Sequence, residues 1–211
     1  SRIHVVASAQ TLEALMALAR VGGICPTHRQ PTDPPVDTAL RDKILAALTA
    51  MDFAKLNNEQ QLTHVRTVEI VLNRFGKPDD AGVAKLLGQL DPQFPAKSFE
   101  LNWELCETLG FLQSPTVAAK ALALMASAPT QEEQIEYARS IRFVKAGWTP
   151  ALHAAYFEWF LKAASYTGVR SVLPPGIPNN EGVFRAIEVV CPPGTVGNGV
   201  LPAACAARGL T

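Results

Sequence analysis

The chain has few charges of either sign, and they cancel. Charged side chains make up 18% of its 211 residues, and 19 Lys and Arg balance 19 Asp and Glu. Because a net charge of zero supplies no large positive field, the composition argues against a nucleic-acid binder or a polybasic membrane-surface protein. A hydrophobic fraction of 48% also excludes an intrinsically disordered chain. The length allows one large domain or two small ones.

Long apolar runs are also missing. No stretch of 18 or more apolar residues occurs, so the sequence predicts no membrane-spanning helix. The first residues, Ser1 to His4, lack an initiator Met and show no signal-peptide pattern. They lead directly into an apolar helical pattern, as though the sequence began inside a helix. We therefore expect the chain to be a fragment of a longer protein.

Several patterns that carry known chemistry are absent. There is no Gly-x-Ser-x-Gly nucleophile elbow, no phosphate-binding loop and no Cys-x-x-Cys-His haem attachment site. Cys25 and His28 have the spacing of half a zinc site, but no second pair follows, and a surface loop explains them more simply. Gly194, Gly197 and Gly199 indicate tight turns rather than a dinucleotide motif. The sequence predicts no catalytic, cofactor-binding or metal-binding residue.

Cysteine is scarce. The four cysteines are Cys25, Cys106, Cys191 and Cys205. They could form two disulfides in three connectivities. However, a chain of this length can build a core without disulfides, and Cys106 lies on an apolar helical pattern. We interpret all four as free thiols.

The composition changes near Gly168. Residues 169–211 contain twelve Gly and Pro but only five charges, whereas residues 1–168 contain 18 Gly and Pro and 33 charges. Since Pro and Gly interrupt regular structure most strongly, this is a change of structural class. The sequence predicts a helical-repeat domain over 1–168. The irregular tail over 169–211 should carry at most one short strand, at 183–190, and should not be an independent domain.

Residues 1–168 show the apolar spacing of consecutive α-helices. The predicted helices are 2–20, 37–51, 57–75, 80–90, 97–112, 115–127, 131–146 and 150–166. Short connections favour antiparallel pairing of consecutive helices. Ser114-Pro115 and Thr149-Pro150 look like two helix starts 35 residues apart, each with a capping hydroxyl before proline. These features predict an α-solenoid with a curved face for a protein partner, or alternatively an irregular helical bundle.

Two clusters in the last helices are candidate binding surfaces. Arg139, Arg142 and Lys145 could bind an anion. However, acidic residues begin the same predicted helix, and negative charge at its start with positive charge at its end complements the helix dipole without any ligand. Six of the fifteen aromatic residues lie within 148–166. One face of that helix carries Leu152, Tyr156, Trp159, Phe160 and Ala163. Such a stripe predicts core, with a partner surface as the alternative, and Phe157 on another face is the better candidate for a partner.

The helical part resembles a known family. The residues of 137–150 are Tyr-Ala-Arg-Ser-Ile-Arg-Phe-Val-Lys-Ala-Gly-Trp-Thr-Pro. With their continuation to Gly168, they resemble the HEAT-like helices of large exported planctomycete-type proteins, which also contain a dehydrogenase-like propeller and a c-type haem domain. Segments 12–22 and 65–76 fit the same region, so the resemblance covers roughly 1–168. It implies a non-catalytic, exported or periplasmic scaffold whose partners include neighbouring domains of a longer chain.

The tail resembles a different family. Residues 177–195 read Ile-Pro-Asn-Asn-Glu-Gly-Val-Phe-Arg-Ala-Ile-Glu-Val-Val-Cys-Pro-Pro-Gly-Thr, and Asn198 and 201–204 follow. These residues resemble the hydantoinase B/oxoprolinase family, although Ala186 stands where its pattern has proline. That family opens cyclic amides with a partner subunit and ATP, so the resemblance implies a component of a cytoplasmic hydrolase. The join of the two families is either a real fusion or a truncated or misassembled reading frame.

These interpretations give three expectations. The isolated chain should hydrolyse neither hydantoin nor 5-oxoproline. Within a stack of helices over 37–166, replacing Trp159 or Leu152 by Ala should cost about 2–5 kcal/mol. The tail should pack loosely, and its deletion should lower the free energy of unfolding by no more than about 1–2 kcal/mol.

Overall fold

The computed structural model describes residues 9–164, and this part of the chain is mainly helical. Its eight α-helices are α1 (Ala9–Gly22), α2 (Thr38–Thr49), α3 (Asn58–Phe75), α4 (Asp80–Leu90), α5 (Phe99–Phe111), α6 (Val117–Ser127), α7 (Gln131–Ile141) and α8 (Pro150–Ala163). These residues contain no β-strand. The mainly α fold class is therefore confirmed. The strand predicted at 183–190, and the rest of the tail, lie outside the described residues.

Capping side chains determine where most of these helices begin. Asn57 and Gln60 form a capping box, in which each side chain accepts a hydrogen bond from the other residue's backbone N–H, at 2.9 and 3.0 Å. Five other helices have one capping side chain each, from Asp37, Asp79, Ser98, Thr130 and Thr149. Each cap satisfies a backbone donor that the helix itself cannot, which typically contributes about 1 kcal/mol.

One predicted helix start is wrong. Thr149 caps α8 with Pro150 at its first position, as expected, but α6 begins at Val117 rather than at Ser114-Pro115. Ser114 instead belongs to the end of α5, where its N–H donates to Leu109 O and its Oγ donates to Asp91 Oδ1 at 2.7 Å. The 35-residue spacing therefore loses one of the two starts on which it rested.

The chain divides into two compact units between Ser114 and Pro115. In the first unit, α3 contacts α1, α2 and α5, and α2 also contacts α4. Apolar side chains of these helices, and of residues just after them, form one continuous core. Its buried members are Leu12, Ala19, Ile44, Leu45, Leu48, Met51, Val68, Val71, Leu72, Phe75, Leu86 and Leu112.

In the second unit, α6 contacts both α7 and α8. Ala118 and Ala121 of α6 are buried, and Tyr156 Oη donates to Ala138 O at 2.7 Å inside the core. Within the predicted stripe of α8, Tyr156, Phe160 and Ala163 are buried, which confirms the core assignment for these three. Leu152 and Trp159 are only half-buried. We therefore expect the largest cost of truncation in this stripe at Phe160, and the costs expected for Trp159 and Leu152 stay predictions.

Two further predictions concern the described residues. None of the described helices is both long and apolar enough to cross a bilayer. Cys25 and Cys106 carry free thiols, as predicted, and Cys106 is buried in α5. Cys191 and Cys205 lie outside the described residues.

Candidate binding groove and aromatic ridge

An open groove of about 580 Å³ lies in the first unit, beside the C-terminal ends of α1 and α3. Its lining residues are Arg20, Cys25, Glu69, Ile70, Asn73 and Arg74. The groove thus combines two guanidinium groups, a thiol, an amide and a carboxyl group. The sequence analysis identified only Cys25 among them, because the others lie on two helices that are distant in sequence.

Arg74 closes the end of α1. Its Nη1 donates to Arg20 O at 2.8 Å and to Gly23 O at 2.7 Å, so a positive charge satisfies carbonyl groups where α1 ends. The chain passes very close to α3 here: a Cβ on Gly23 would lie 2.6 Å from the Phe75 ring and 2.8 Å from Arg74 Cβ. Glycine at this position therefore permits the close approach that Arg74 needs.

Cys25 lies on the loop after α1. Its Sγ is 3.1 Å from Thr27 Oγ1, and the thiol points to Asn73 Oδ1 at 3.8 Å. Hydrogen bonds from Thr27, followed by the charge of Arg74, lower the pKa of the Cys25 thiol. His28 Nδ1 lies 3.5 Å from the same Thr27 hydroxyl, so Cys25 and His28 are linked through Thr27. No group of three or more His, Cys, Asp or Glu side chains comes together between residues 9 and 164 to hold a metal.

Glu69 forms the other wall of the groove. It is half-buried between α3 and α5, and Thr108 Oγ1 donates to its Oε1 at 2.8 Å. Burial, followed by the hydrogen bond and negative charge of Glu104, raises the pKa of Glu69 to about 9. Arg66 Nε donates to Glu104 Oε1 at 2.8 Å. With its pKa raised to about 9, Glu69 holds its proton at neutral pH. The sequence analysis missed this carboxyl pair.

His64 is a core residue of the first unit. It is fully buried, its ring packs edge-on against Phe53, and its Nε2 lies 3.0 Å from Leu48 O. Because a carbonyl only accepts hydrogen bonds, Nε2 carries the proton, and Nδ1 is a buried acceptor without a partner. Burial lowers the pKa of this imidazole. His64 therefore stays neutral in the folded protein and is not part of the groove.

Two arginines of the second unit have contacts on or next to α7. Glu132 and Glu133 lie in the first turn of α7 and Arg139 in its last, as predicted, but the helix ends at Ile141 rather than 146, so Arg142 and Lys145 lie beyond it. Arg139 Nη2 is 3.0 Å from Glu136 Oε2, and the Arg142 guanidinium lies 4.7 Å from the centre of the exposed Phe143 ring. Arg139 therefore contacts a side chain of its own helix, and Arg142 contacts the ring of the residue next to it, just after the helix.

A row of stacked rings follows one side of α8. The Trp148 and His153 rings stack with centroids 4.6 Å apart, and His153 and Phe157 stack at 6.4 Å. Leu161 continues the row one helical turn later and is 54% exposed. We call Trp148, His153, Phe157 and Leu161 the aromatic ridge. Phe157, which the sequence analysis separated from the core stripe, lies in this ridge.

Comparison with known proteins gives one match. A family model described as hydantoinase B/oxoprolinase matches residues 152–211, less than a third of the chain. The match confirms the predicted resemblance of the tail and extends it backwards into α8, ahead of the boundary predicted at residue 169. Neither the curated proteins nor the solved structures contain a match to this chain. The resemblance of 1–168 to HEAT-like helices stays a prediction.

Proposed function

We propose that the chain is a non-catalytic helical-repeat scaffold or interaction module. The observation that supports this most is the order of helix contacts within each unit. In the first unit α3 lies between α1 and α5, while α2 contacts α4, and in the second unit α6 contacts α8. Contacts between alternate helices are typical of stacked helix pairs, in which helices of the same layer touch along the array.

The roles of the polar side chains also support a scaffold. Arg74 is held by two backbone carbonyls, and Glu69 is held between Thr108 and Glu104. A catalytic acid or base must instead reach a substrate with its reactive atoms. Groups that stabilise helix ends and helix interfaces are what a module needs in order to keep its shape on binding.

A scaffold of this kind would bind a protein partner or neighbouring domains of a longer chain on its helical surface. In this proposal residues 1–168 are the helical-repeat part and residues 169–211 a hydantoinase B-like segment without a domain of its own. The helical part comprises two units, with their boundary after Ser114. Its resemblance to exported proteins makes the periplasm the proposed compartment.

The second candidate is a component of a hydantoinase/oxoprolinase-type hydrolase. The family match over 152–211 supports it specifically. In this alternative the cyclic amide is opened with ATP and a partner subunit, in the cytoplasm, and this chain contributes its C-terminal segment to the assembly. The two candidates differ in whether any turnover depends on residues 152–211.

A turnover assay separates them. The purified chain is incubated with hydantoin or 5-oxoproline, with and without ATP, and with and without a separately purified partner subunit of that family. We expect no turnover above the buffer rate in any mixture. Turnover by the chain alone would overturn the scaffold proposal. Turnover that needs the partner subunit, and that disappears in a chain ending at residue 151, would establish the alternative.

A further inference from the structure

We propose that the groove of the first unit binds an organic carboxylate, which Arg20 and Asn73 hold beside the fixed charge of Arg74. All the described residues that line the groove belong to the first unit. Its volume of about 580 Å³ lies within the range of small-molecule sites in proteins, roughly 300–1,000 Å³. Neither the scaffold role nor the hydrolase alternative gives this groove a ligand.

Two arginines give the groove a positive charge that the described residues do not neutralise. Arg74 is fixed, because its Nη1 donates to Arg20 O and Gly23 O, and its other guanidinium nitrogens form no hydrogen bond within the described part of the chain. The exposed side chain of Arg20 forms no hydrogen bond or ion pair with any described residue. A guanidinium held in place in advance loses little conformational freedom when it binds an oxyanion.

The carboxyl group of the groove does not cancel this charge. Among the described residues that line the groove, only Glu69 is acidic. Burial, followed by the contact with Glu104, raises the pKa of Glu69 to about 9, so Glu69 is neutral at pH 7. Its Oε1 already accepts a hydrogen bond from Thr108. The described wall therefore carries two positive charges and no ionised carboxylate at neutral pH.

Asn73 adds further hydrogen-bond donors. Its Oδ1 faces Cys25 Sγ at 3.8 Å, so its Nδ2 lies on the other side of the amide, where it has no partner among the described residues. Donors thus outnumber acceptors along the groove, which favours a ligand rich in acceptors. A planar carboxylate accepts two parallel N–H bonds from one guanidinium group. Ile70 offers apolar surface to the hydrocarbon part of such a ligand.

The position of the groove favours a carboxylate over a phosphate. The groove lies where α1 and α3 end, and the carbonyl groups at the C-terminal end of a helix disfavour a doubly charged anion. Phosphate sites use the N–H groups of helix N-termini instead. A single negative charge, bound by a guanidinium fork, suits this end of the unit better.

Cys25 makes occupancy of the groove measurable in the full-length chain. Iodoacetate carries a carboxylate and iodoacetamide does not, but both react alike: the thiolate sulfur bonds to the methylene carbon, and iodide leaves. The ratio of the two rates at Cys25, followed by peptide mass spectrometry, is therefore independent of the pKa of the thiol. We expect this ratio to be about fivefold higher than in an unstructured peptide of residues 23–30, which is the effect of unit charges about 4 Å apart in water.

Variants of the exposed wall residues test the assignment. Arg20→Gln should return the ratio to that of the peptide, and Asn73→Asp, which places a negative charge in the groove, should lower it at least as far. Since both side chains are exposed, these variants keep the fold. Lys85→Gln is the matched control, because it removes one positive charge from an exposed position of α4 outside the groove, and it should leave the ratio unchanged.

Competition provides an independent criterion. Butyrate should slow the alkylation of Cys25 by iodoacetamide, whereas butyramide, its neutral analogue, and inorganic phosphate at equal ionic strength should slow it less. A ratio at Cys25 equal to that of the peptide, or a raised ratio that survives Arg20→Gln, would overturn the proposal. Equal protection by phosphate and butyrate would overturn the choice of a carboxylate. None of these results depends on whether the chain takes part in catalysis.

Discussion

The first unit buries an aliphatic core among five helices and encloses His64 and the Glu69–Glu104 pair within or beside it. The second unit packs three described helices around a mixed core that includes Tyr137, Tyr156 and Phe160, and it leaves Leu161 of the aromatic ridge largely exposed. The first unit nevertheless leaves large apolar side chains exposed, at Leu18, Val21, Val36 and Phe111. The second unit differs in that its exposed Leu161 lies one helical turn from a row of stacked rings. Apolar exposure alone therefore does not assign an interaction surface to either unit.

The largest expected effect concerns the core of that second unit. Phe160→Ala should lower the free energy of unfolding of the second unit by about 3–5 kcal/mol, because it removes a buried ring and leaves a cavity. Trp159→Ala should cost less, since Trp159 is half-buried. Urea unfolding followed by site-resolved hydrogen exchange measures both. If the two variants lose equal stability, Trp159 contributes as much to the core as Phe160 does.

The second prediction concerns the carboxyl pair of the first unit. The pKa of Glu69 is raised to about 9 in the folded state, so between its unfolded pKa of about 4.5 and pH 9 the folded protein binds one more proton than the unfolded chain. Stability from this group is complete below about pH 4.5 and is lost as pH rises towards 9. The slope is at most about 1.4 kcal/mol per pH unit.

Glu69→Gln, which imitates the protonated acid, should remove this slope and gain stability relative to the unmodified chain as pH rises from 6 to 8.5. Glu13→Gln, on an exposed position of α1, is the control and should retain the slope. Thermal melts across this pH range provide the measurement. An identical pH profile for Glu69→Gln and the unmodified chain would show that Glu69 is ionised in the folded state.

His64 gives the opposite pH dependence in the same unit. Its pKa is lowered by burial, so below the unfolded pKa of about 6.5 the unfolded chain binds a proton that the folded protein does not. Stability from this group is complete above pH 6.5 and is lost as pH falls through that value. His64→Gln keeps a donor for Leu48 O and should flatten the profile between pH 6.5 and 5. If this variant loses as much stability as the unmodified chain when pH falls from 6.5 to 5, other groups cause that loss.

The smallest effect concerns a helix start in the second unit. Thr149 Oγ1 accepts the Leu152 N–H at 3.2 Å, so Thr149→Ala should cost about 1 kcal/mol. Thr149→Ser keeps the acceptor and should cost a few tenths at most. Denaturant melts of the two variants compare them directly. Equal losses would mean that the cap contributes nothing and that Pro150 alone determines where α8 begins.

Local signals made the helices predictable. Three kinds of short-range signal predicted most helix boundaries within a few residues. They are polar capping side chains at helix starts, the glycine at Gly76 after α3, and apolar residues that recur every three or four positions. Ser114 shows the limit of such signals. Its hydroxyl and the following proline fit a helix start, but Asp91, 23 residues earlier, holds that hydroxyl at the end of α5.

The groove depends on longer-range pairings. Glu69 meets Glu104 and Thr108 from another helix, and Arg74 reaches back to Arg20 and Gly23 across more than 50 residues. No periodicity in the sequence reports which helices become neighbours. The contacts of Glu69 with Glu104 and of Arg74 with the end of α1 therefore could not be predicted without the fold. The aromatic ridge was partly predictable, because the sequence analysis placed Phe157 on a separate face of its helix.

Deletion of residues 169–211 tests the contrast between the two units most directly. Hydrogen exchange follows the stability of each unit separately. We expect the free energy of unfolding of α6 to α8 to fall by no more than about 1–2 kcal/mol, which corresponds to the apolar area of one or two side chains. The protection of α1 to α5 should not change. A loss well above about 2 kcal/mol in α6 to α8, or a loss of protection in α1 to α5, would contradict the claim that both units hold their fold without residues 169–211.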